Sequence, residues 1–245
     1  MANKINRRNI FCIGDSFVNL PDKKYKVWPE ILAALFPNDI IFNLGWPGVG
    51  TDVSITTLKE CINGVLVKDR SRKFTPDVVI FQVSDFVRKT YIKEDFPRDY
   101  VNNYISFQNN NYVTWNFKTF EEKFSYRAKS ITMNVGATYD KEHLNHYKRH
   151  AENFLHDIRY SWHMQTPYKY IFPERDIVYI KHLCETKNIK LINYTHKNVS
   201  KENFTDFSIE NILGKNKFKY YCVDDGYHFG NEGNTLVANI MKEKI

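Results

Sequence analysis

Long apolar runs are missing from this chain. Nothing in it approaches the ~20 consecutive apolar residues that a membrane-spanning helix requires. Cysteine is scarce: Cys12, Cys61, Cys184 and Cys222 are widely scattered, with no Cys-x-x-Cys pair. That spacing suits neither a disulfide framework nor a zinc site, and the four read as buried thiols. Internal repeats, low-complexity tracts and an inter-domain linker are lacking as well. Acidic residues are outnumbered, 28 Asp and Glu against 35 Lys and Arg, which leaves a net charge of +7. Such an excess can serve an anionic partner such as nucleic acid or an acidic glycan. Here the basic residues are dispersed, with mild clusters only at Arg7-Arg8, Lys148-Arg149 and Lys215/Lys217/Lys219. No recognition motif accompanies them, so we read a solvated basic surface and expect neither nucleic acid nor membrane as partner. Only Ile10 to Gly14 follows the basic N-terminal stretch before the first motif, too short for the apolar region of a signal peptide. The expectation is a cytoplasmic or virion-associated protein.

What is present suits a packed core. Of 245 residues, 42% are hydrophobic and 16% aromatic, and a chain of this length buries roughly 70% of its unfolded surface without staples. Asn9 to Ile13 is a short apolar run ending at Gly14, which reads as a buried strand. Trp28-Pro29-Glu30 opens a helix with Ile31, Leu32, Leu35 and Phe36 on its apolar face, stopped by Pro37-Asn38-Asp39. Ile40 to Leu44 is a second strand. Thr51 or Asp52 caps a helix whose face is Ile55, Leu58, Ile62 and Leu66. Val78 to Val83 is a largely apolar run of the kind seen in buried parallel strands. The pattern then changes over about 88–172, where Asn and aromatic residues dominate Tyr100 to Phe120 and a long amphipathic helix follows Asp140. A helix from near Pro173 to Asn188, a strand at Ile189 to Tyr194, a short strand at Phe218 to Val223 and a final helix from Asn231 to Lys244 complete the order. Strands alternating with helices predict an α/β fold with a mostly parallel sheet. We expect one domain over residues 1–245, with a long helical or irregular insertion at about 88–172.

Three short motifs carry chemistry. Gly14-Asp15-Ser16-Phe17 directly follows the first strand, so Ser16 stands at the sheet's carboxyl edge, where ligands bind in such folds. Asn43-Leu44-Gly45-Trp46-Pro47-Gly48-Val49-Gly50-Thr51 follows the second strand. Its glycines make a tight loop whose N–H groups can face an oxyanion, and its spacing is neither of the usual phosphate-cradle patterns. Asp225-Gly226-Tyr227-His228 precedes the last helix. An Asp three residues before a His can reach the imidazole Nδ1 and leave Nε2 to take a serine proton. The neighbouring Asp224 lacks that spacing.

Together, in this order and spanning Gly14 to His228, these blocks resemble the SGNH/GDSL hydrolase superfamily of esterases, lipases, thioesterases and carbohydrate acetylesterases. The resemblance implies a three-layer α/β/α sandwich with a flavodoxin-like sheet of about five strands. It implies Ser16 as nucleophile, Asp225 and His228 as orienter and base, and the N–H groups of Ser16 and Gly48 as oxyanion donors. It implies no cofactor and no metal. The Trp28-Pro29 helix start and the Gly230 to Asn239 tail are also similar to family members. The third block departs from the pattern: where the family has Gly-x-Asn-Asp, this chain has Gln82-Val83-Ser84-Asp85. Ser84 therefore replaces the Asn whose side chain donates to the oxyanion. Some phage-associated members look similar here and carry an Arg soon after, as Arg88 does. Asp15 and Arg88 are secondary candidates for substrate binding.

Other signals have bland readings. His143, His146 and His150 share one helix side but flank its apolar stripe, and no carboxylate or Cys has matching spacing for a metal. The sequons at Asn193, Asn198 and Asn203 have no secretion signal to give them meaning. The aromatic stretch from Tyr100 to Phe120 could serve as a sugar platform, but core packing of an irregular insert is the stronger reading. Two functions remain. One is a serine hydrolase acting on a small-molecule or glycan ester, with O-acetyl groups as the acyl moiety. The alternative is a weak or inactive module of the same fold that binds glycans or builds a virion.

Overall fold

A computed structural model describes residues 7–20, 24–47, 49–67, 72–84, 88–92, 100–116, 130–134, 171–196, 205–221 and 228–245. The helix expected after Asp140, the trio His143, His146 and His150, and Gly48, Asp85, Cys222, Asp224 and Asp225 lie outside them.

Strand β1 (Asn9–Ile13) runs through the middle of a seven-stranded sheet, with β2 (Ile40–Asn43) on one side and β5 (Val78–Val83) on the other. Both pairings are parallel. Outward from β5 come β10 (Lys190–Thr195) and the two-residue β11 (Phe207–Ser208), also parallel. Outward from β2 come β8 (Tyr112–Trp115), parallel, and β7 (Ile105–Phe107), antiparallel at the edge. Two small antiparallel pairs stand apart: β3 (Val65–Leu66) with β4 (Lys73–Phe74), and β6 (Arg88–Ile92) with β9 (Ser130–Asn134).

Central strands are mainly apolar because buried clusters lie against both faces. Side chains alternate across a strand, so Phe11 and Ile13 join one buried cluster while Ile10 and Cys12 join another. The first cluster includes Val53, Leu58 and Ile62 from α2 (Thr51–Cys61) and its C-terminal turn, and Ile177, Ile180 and Cys184 from α4 (Ile171–Thr186). The second takes Trp28 and Leu32 from α1 (Trp28–Leu35) and Val237, Ala238 and Met241 from α6 (Asn231–Lys244). Helix α4 stops where Asn188 adopts a left-handed φ of 53°, a conformation Asn tolerates. Cys12, Cys61 and Cys184 are free and buried, and burial pushes each thiol's pKa up. Among the described residues no helix is long and apolar enough to cross a membrane.

Four expectations change. The sheet has seven strands rather than about five, because β7 and β8 come from the Asn- and aromatic-rich stretch that periodicity leaves unassigned. Helix α2 is capped by Gly50 rather than by Thr51 or Asp52. Leu66 is not on its apolar face: the helix ends at Cys61, Gly64 turns the chain at φ +91°, and Leu66 enters β3 at 44% exposure. Phe218 to Val223 is not a strand. A short helix α5 (Ile209–Leu213) leads into a 3-10 helix over Gly214–Tyr220, and only Tyr221 makes an isolated bridge, to Phe229. The neighbouring sheet edge, β11, is two residues long and offers too little ladder to join. Backbone groups there are satisfied locally instead.

Candidate active site

Ser16 owes its place to how β1 ends. A Cβ on Gly14 would lie 2.6 Å from both Cβ and Oε1 of Gln82 and from a Val18 methyl, so only glycine lets β1 leave the sheet against β5. The Asp15 N–H donates to Gln82 Oε1 at 3.3 Å. The Asp15 carbonyl accepts the N–H groups of Val18 and Asn19 at 3.0 and 3.1 Å, and its carboxylate accepts that of Phe17 at 2.9 Å. The carboxylate thus mimics a backbone acceptor and closes the turn. Asp15 is buried within this turn, and the contacts described give it a local structural task. Ser16 sits in the turn at 9% exposure.

The glycine loop is fastened to the same turn. The N–H groups of Leu44 and Trp46 donate to the carbonyls of Cys12 and Gly14, both at 2.8 Å. Asn19 Nδ2 donates to the Gly45 carbonyl at 3.2 Å, and a Cβ on Gly45 would meet Val18 at 2.7 Å. Asn43 braces the loop from below: its Oδ1 accepts the Gly45 N–H at 3.2 Å and its Nδ2 donates to the Tyr112 hydroxyl at 2.9 Å. Burial pushes the Tyr112 phenol's pKa up and keeps it neutral.

Ser84 follows the last residue of β5 and belongs to the same edge, since Ile13 and Phe81 are register partners just below. Its carbonyl accepts the Thr51 hydroxyl at 3.3 Å. Its own hydroxyl is buried, at 1% exposure of the residue, and has no hydrogen-bond partner among the described residues. Buried hydroxyls are nearly always partnered, so one without a partner among the described residues calls for an explanation. Arg88 opens β6 opposite Asn134 of β9.

The last contribution arrives from the other end of the chain. His228 Nε2 lies 2.9 Å from Ser16 Oγ, across 212 residues of sequence. Three contacts hold the His228 turn: the Phe229–Tyr221 bridge, the Gly230 N–H donating to the Tyr220 carbonyl at 2.9 Å, and Asn234. Asn234, buried in α6, donates from Nδ2 to the carbonyls of Phe229 and Gly230 at 3.0 and 3.1 Å. Its Oδ1 accepts the N–H of Trp28 at 3.1 Å, which ties the turn to the start of α1. An oxygen could not serve the two carbonyls, so the amide orientation is fixed. Cys12, a β1 residue buried in the second cluster, is no rival nucleophile, because burial raises its pKa and the thiolate is the reactive form.

The structure therefore brings Ser16, His228 and Ser84 to one sheet edge, while Asp225 and Gly48 fall outside the described residues. Sequence reasoning passed over Asn234 and His196. His196 follows the carboxyl end of β10 just as Ser16 follows β1, so the rule that singled out Ser16 also points to it. Among the described residues no group of three or more His, Cys, Asp or Glu is arranged to hold a metal. Comparison with protein-family models finds no match to this chain, and comparison with curated protein sequences finds none either.

Proposed function

We propose that this protein is a serine hydrolase of the SGNH/GDSL type that cleaves carboxylic esters through an acyl-enzyme. The observation that carries the reading is the 2.9 Å contact between Ser16 Oγ and His228 Nε2. A post-strand serine within reach of an imidazole is the pairing that nucleophilic acyl transfer needs. Strand order supports it further: β2-β1-β5-β10-β11 is the 2-1-3-4-5 order of flavodoxin-like sheets. In that order the ligand crevice opens between the first and third strands, here β1 and β5, whose carboxyl ends lead into Ser16 and Ser84. The two buried clusters, with helices against each, suit a three-layer α/β/α arrangement.

In the first half-reaction His228 Nε2 takes the Ser16 proton as Oγ bonds to the ester carbonyl carbon. Collapse of the tetrahedral intermediate breaks the ester C–O bond, and the alcohol leaves with the proton returned by His228. Water then repeats the sequence, releasing the carboxylic acid and freeing Ser16. Asp225 is assigned to orient the imidazole. Charge on the tetrahedral oxygen is assigned to the N–H groups of Ser16 and Gly48 and to the Ser84 hydroxyl, whose lack of another partner among the described residues favours that role. A small acyl group, such as an acetyl ester on a glycan, is the substrate class we favour.

A second reading rests on Ser84 itself. A hydroxyl reaches less far than the amide it replaces, which suits a module that kept the fold for glycan binding or virion structure and lost turnover. A fluorophosphonate probe separates the two. The reading requires labelling of the parent at Ser16 and none of Ser16→Ala; equal labelling of both would remove Ser16 from the mechanism.

A further inference from the structure

We propose that His196 is a positioning residue that holds Ser16 and His228 in line, an inference that rests on the hydrolase reading above. His196 is the first residue past β10 and is buried, at 4% exposure. One side of its ring stacks on Phe17, with centroids 3.6 Å apart and planes 19° apart. It also meets Phe229 in a T-shaped contact at 4.9 Å and 72°. Phe17 is the residue after Ser16, and Phe229 is the residue after His228. A single imidazole therefore packs on the immediate chain neighbour of each reacting group. Phe17 and Phe229 touch each other at 5.7 Å, and Phe17 lies 5.3 Å from the His228 ring, which closes the cluster.

Hydrogen bonds fix the ring's orientation as well as its place. The Tyr221 hydroxyl donates its proton to Glu210 Oε1 at 3.0 Å. That leaves its oxygen to accept, so His196 Nε2, 3.3 Å away, must carry the hydrogen. Glu210 is held in turn by Lys217 Nζ at 3.3 Å, and its N–H donates to the His196 carbonyl at 3.0 Å. Tyr221 is also the residue whose backbone bridges Phe229. A phenyl ring would fill the same volume, but the imidazole's bond to Tyr221 sets its rotation about the stack. In-line geometry matters at this point because a misplacement of about 1 Å between reacting groups can cost on the order of 100-fold in rate.

The test compares His196→Ala with His196→Phe, which keeps the stacked ring. For His196→Ala we expect the fluorophosphonate labelling rate and kcat on p-nitrophenyl acetate to fall about 10- to 100-fold, with KM within about twofold. His196→Phe should recover most of the loss. In a His228→Ala background, His196→Ala should cost nothing further, because no base remains to be aligned; an equal fractional loss in both backgrounds would reduce His196 to a packing residue. Should His196→Ala not fold, Tyr221→Phe reads the same inference: a fall of about threefold or more in labelling rate is expected, and an unchanged rate overturns it. A readout independent of turnover is the 15N shift of His228 Nε2. Ser16→Ala should move it in the parent, move it nearly as far beside His196→Phe, and leave it almost unmoved beside His196→Ala, where the contact is lost. Equal movement in all three overturns the inference. A parent that is neither labelled nor active sinks the hydrolase reading, while the 15N comparison still decides whether His196 sets the geometry.

Discussion

At the amino end of the sheet, polar residues are occupied with one another. Asp39 accepts the Arg8 backbone N–H at 3.0 Å and its guanidinium at 3.1 and 2.7 Å, which joins the starts of β1 and β2. Asp77 accepts the Asn9 N–H at 2.7 Å, Asn9 Nδ2 reaches the Thr75 carbonyl at 2.8 Å, and the Lys190 N–H donates to the Asp77 carbonyl at 3.1 Å. These bonds stitch β1, β2, β5 and β10 together. The carboxyl end is assembled differently. Its backbone is braced just as thoroughly, by Asp15, Asn19, Asn43 and Asn234, yet the Ser84 hydroxyl is left over and the Ser16 hydroxyl faces only an imidazole among the contacts described. One end uses polarity for cohesion; on the proposed hydrolase reading the other holds polar groups in reserve for a ligand. On that reading the contrast separates stability from chemistry within one sheet.

The comparison breaks most decisively at Ser16 and His228. Replacing either with Ala should lower kcat/KM on p-nitrophenyl acetate by about 10³-fold or more and leave the melting temperature nearly unchanged. Substantial residual turnover in both variants would mean that the carboxyl edge is not where the chemistry occurs.

Ser84→Ala is the sharper test of a reserved group. It should reduce kcat about 10- to 100-fold with little change in KM, since the bond forms only in the transition state. Stability should hold or rise, because removing a buried hydroxyl with no partner among the described residues relieves a desolvation cost of about 1 kcal/mol. Ser84→Asn should keep or raise kcat. A drop in melting temperature with unchanged kcat would place Ser84 among the cohesive residues instead.

At the opposite end the signs reverse. Asp39→Ala should lose about 1–2 kcal/mol in urea denaturation, limited by the partial exposure of Arg8, while kcat per folded molecule stays constant. A fall in kcat at full folding would show that the two ends are coupled.

The smallest effect concerns pH. Burial, with Glu185 nearby, pushes the Cys184 thiol from 9.0 up to about 11, and Cys12, Cys61, Tyr112 and Tyr194 are raised too. A group whose folded pKa is raised contributes its full stability below the unfolded value and loses it as pH rises through the folded one. Urea midpoints should therefore decline from about pH 9 toward pH 11, and Cys184→Ala should make that decline shallower. A flat profile would contradict the burial of these groups.

Much of this was legible beforehand for a physical reason. β1, β2, β5 and β10 are apolar runs bounded by turn residues, and α6 runs from Asn231 to Lys244 as its periodicity predicts. Burial on both faces and one-sided helical packing leave strong patterns. Ser16 and His228 were legible because their motifs sit at a strand end and before a helix. The strands β7 and β8 were not, since three- and four-residue strands among Asn and aromatic residues have no periodicity long enough to read. Phe218 misled for the opposite reason. Lysines alternating with aromatics from Lys217 to Tyr220 imitate a strand, whereas Phe218 is exposed on a 3-10 turn. Asn234 and His196 stayed hidden because their roles depend on partners 206 and 25 residues away.

That long reach has a temporal consequence. During synthesis the turn bearing Ser16 leaves the ribosome early, but the imidazole it meets is 212 residues behind. At roughly 5–20 residues per second the delay is roughly 10–40 s. Through that interval Ser16 has no imidazole beside it and, on the proposed mechanism, is an unactivated alcohol. On the same mechanism activation waits for the docking of α6, whose Asn234 fastens the His228 turn to the start of α1. The proposed reactivity is thereby postponed until nearly the whole sheet has been made.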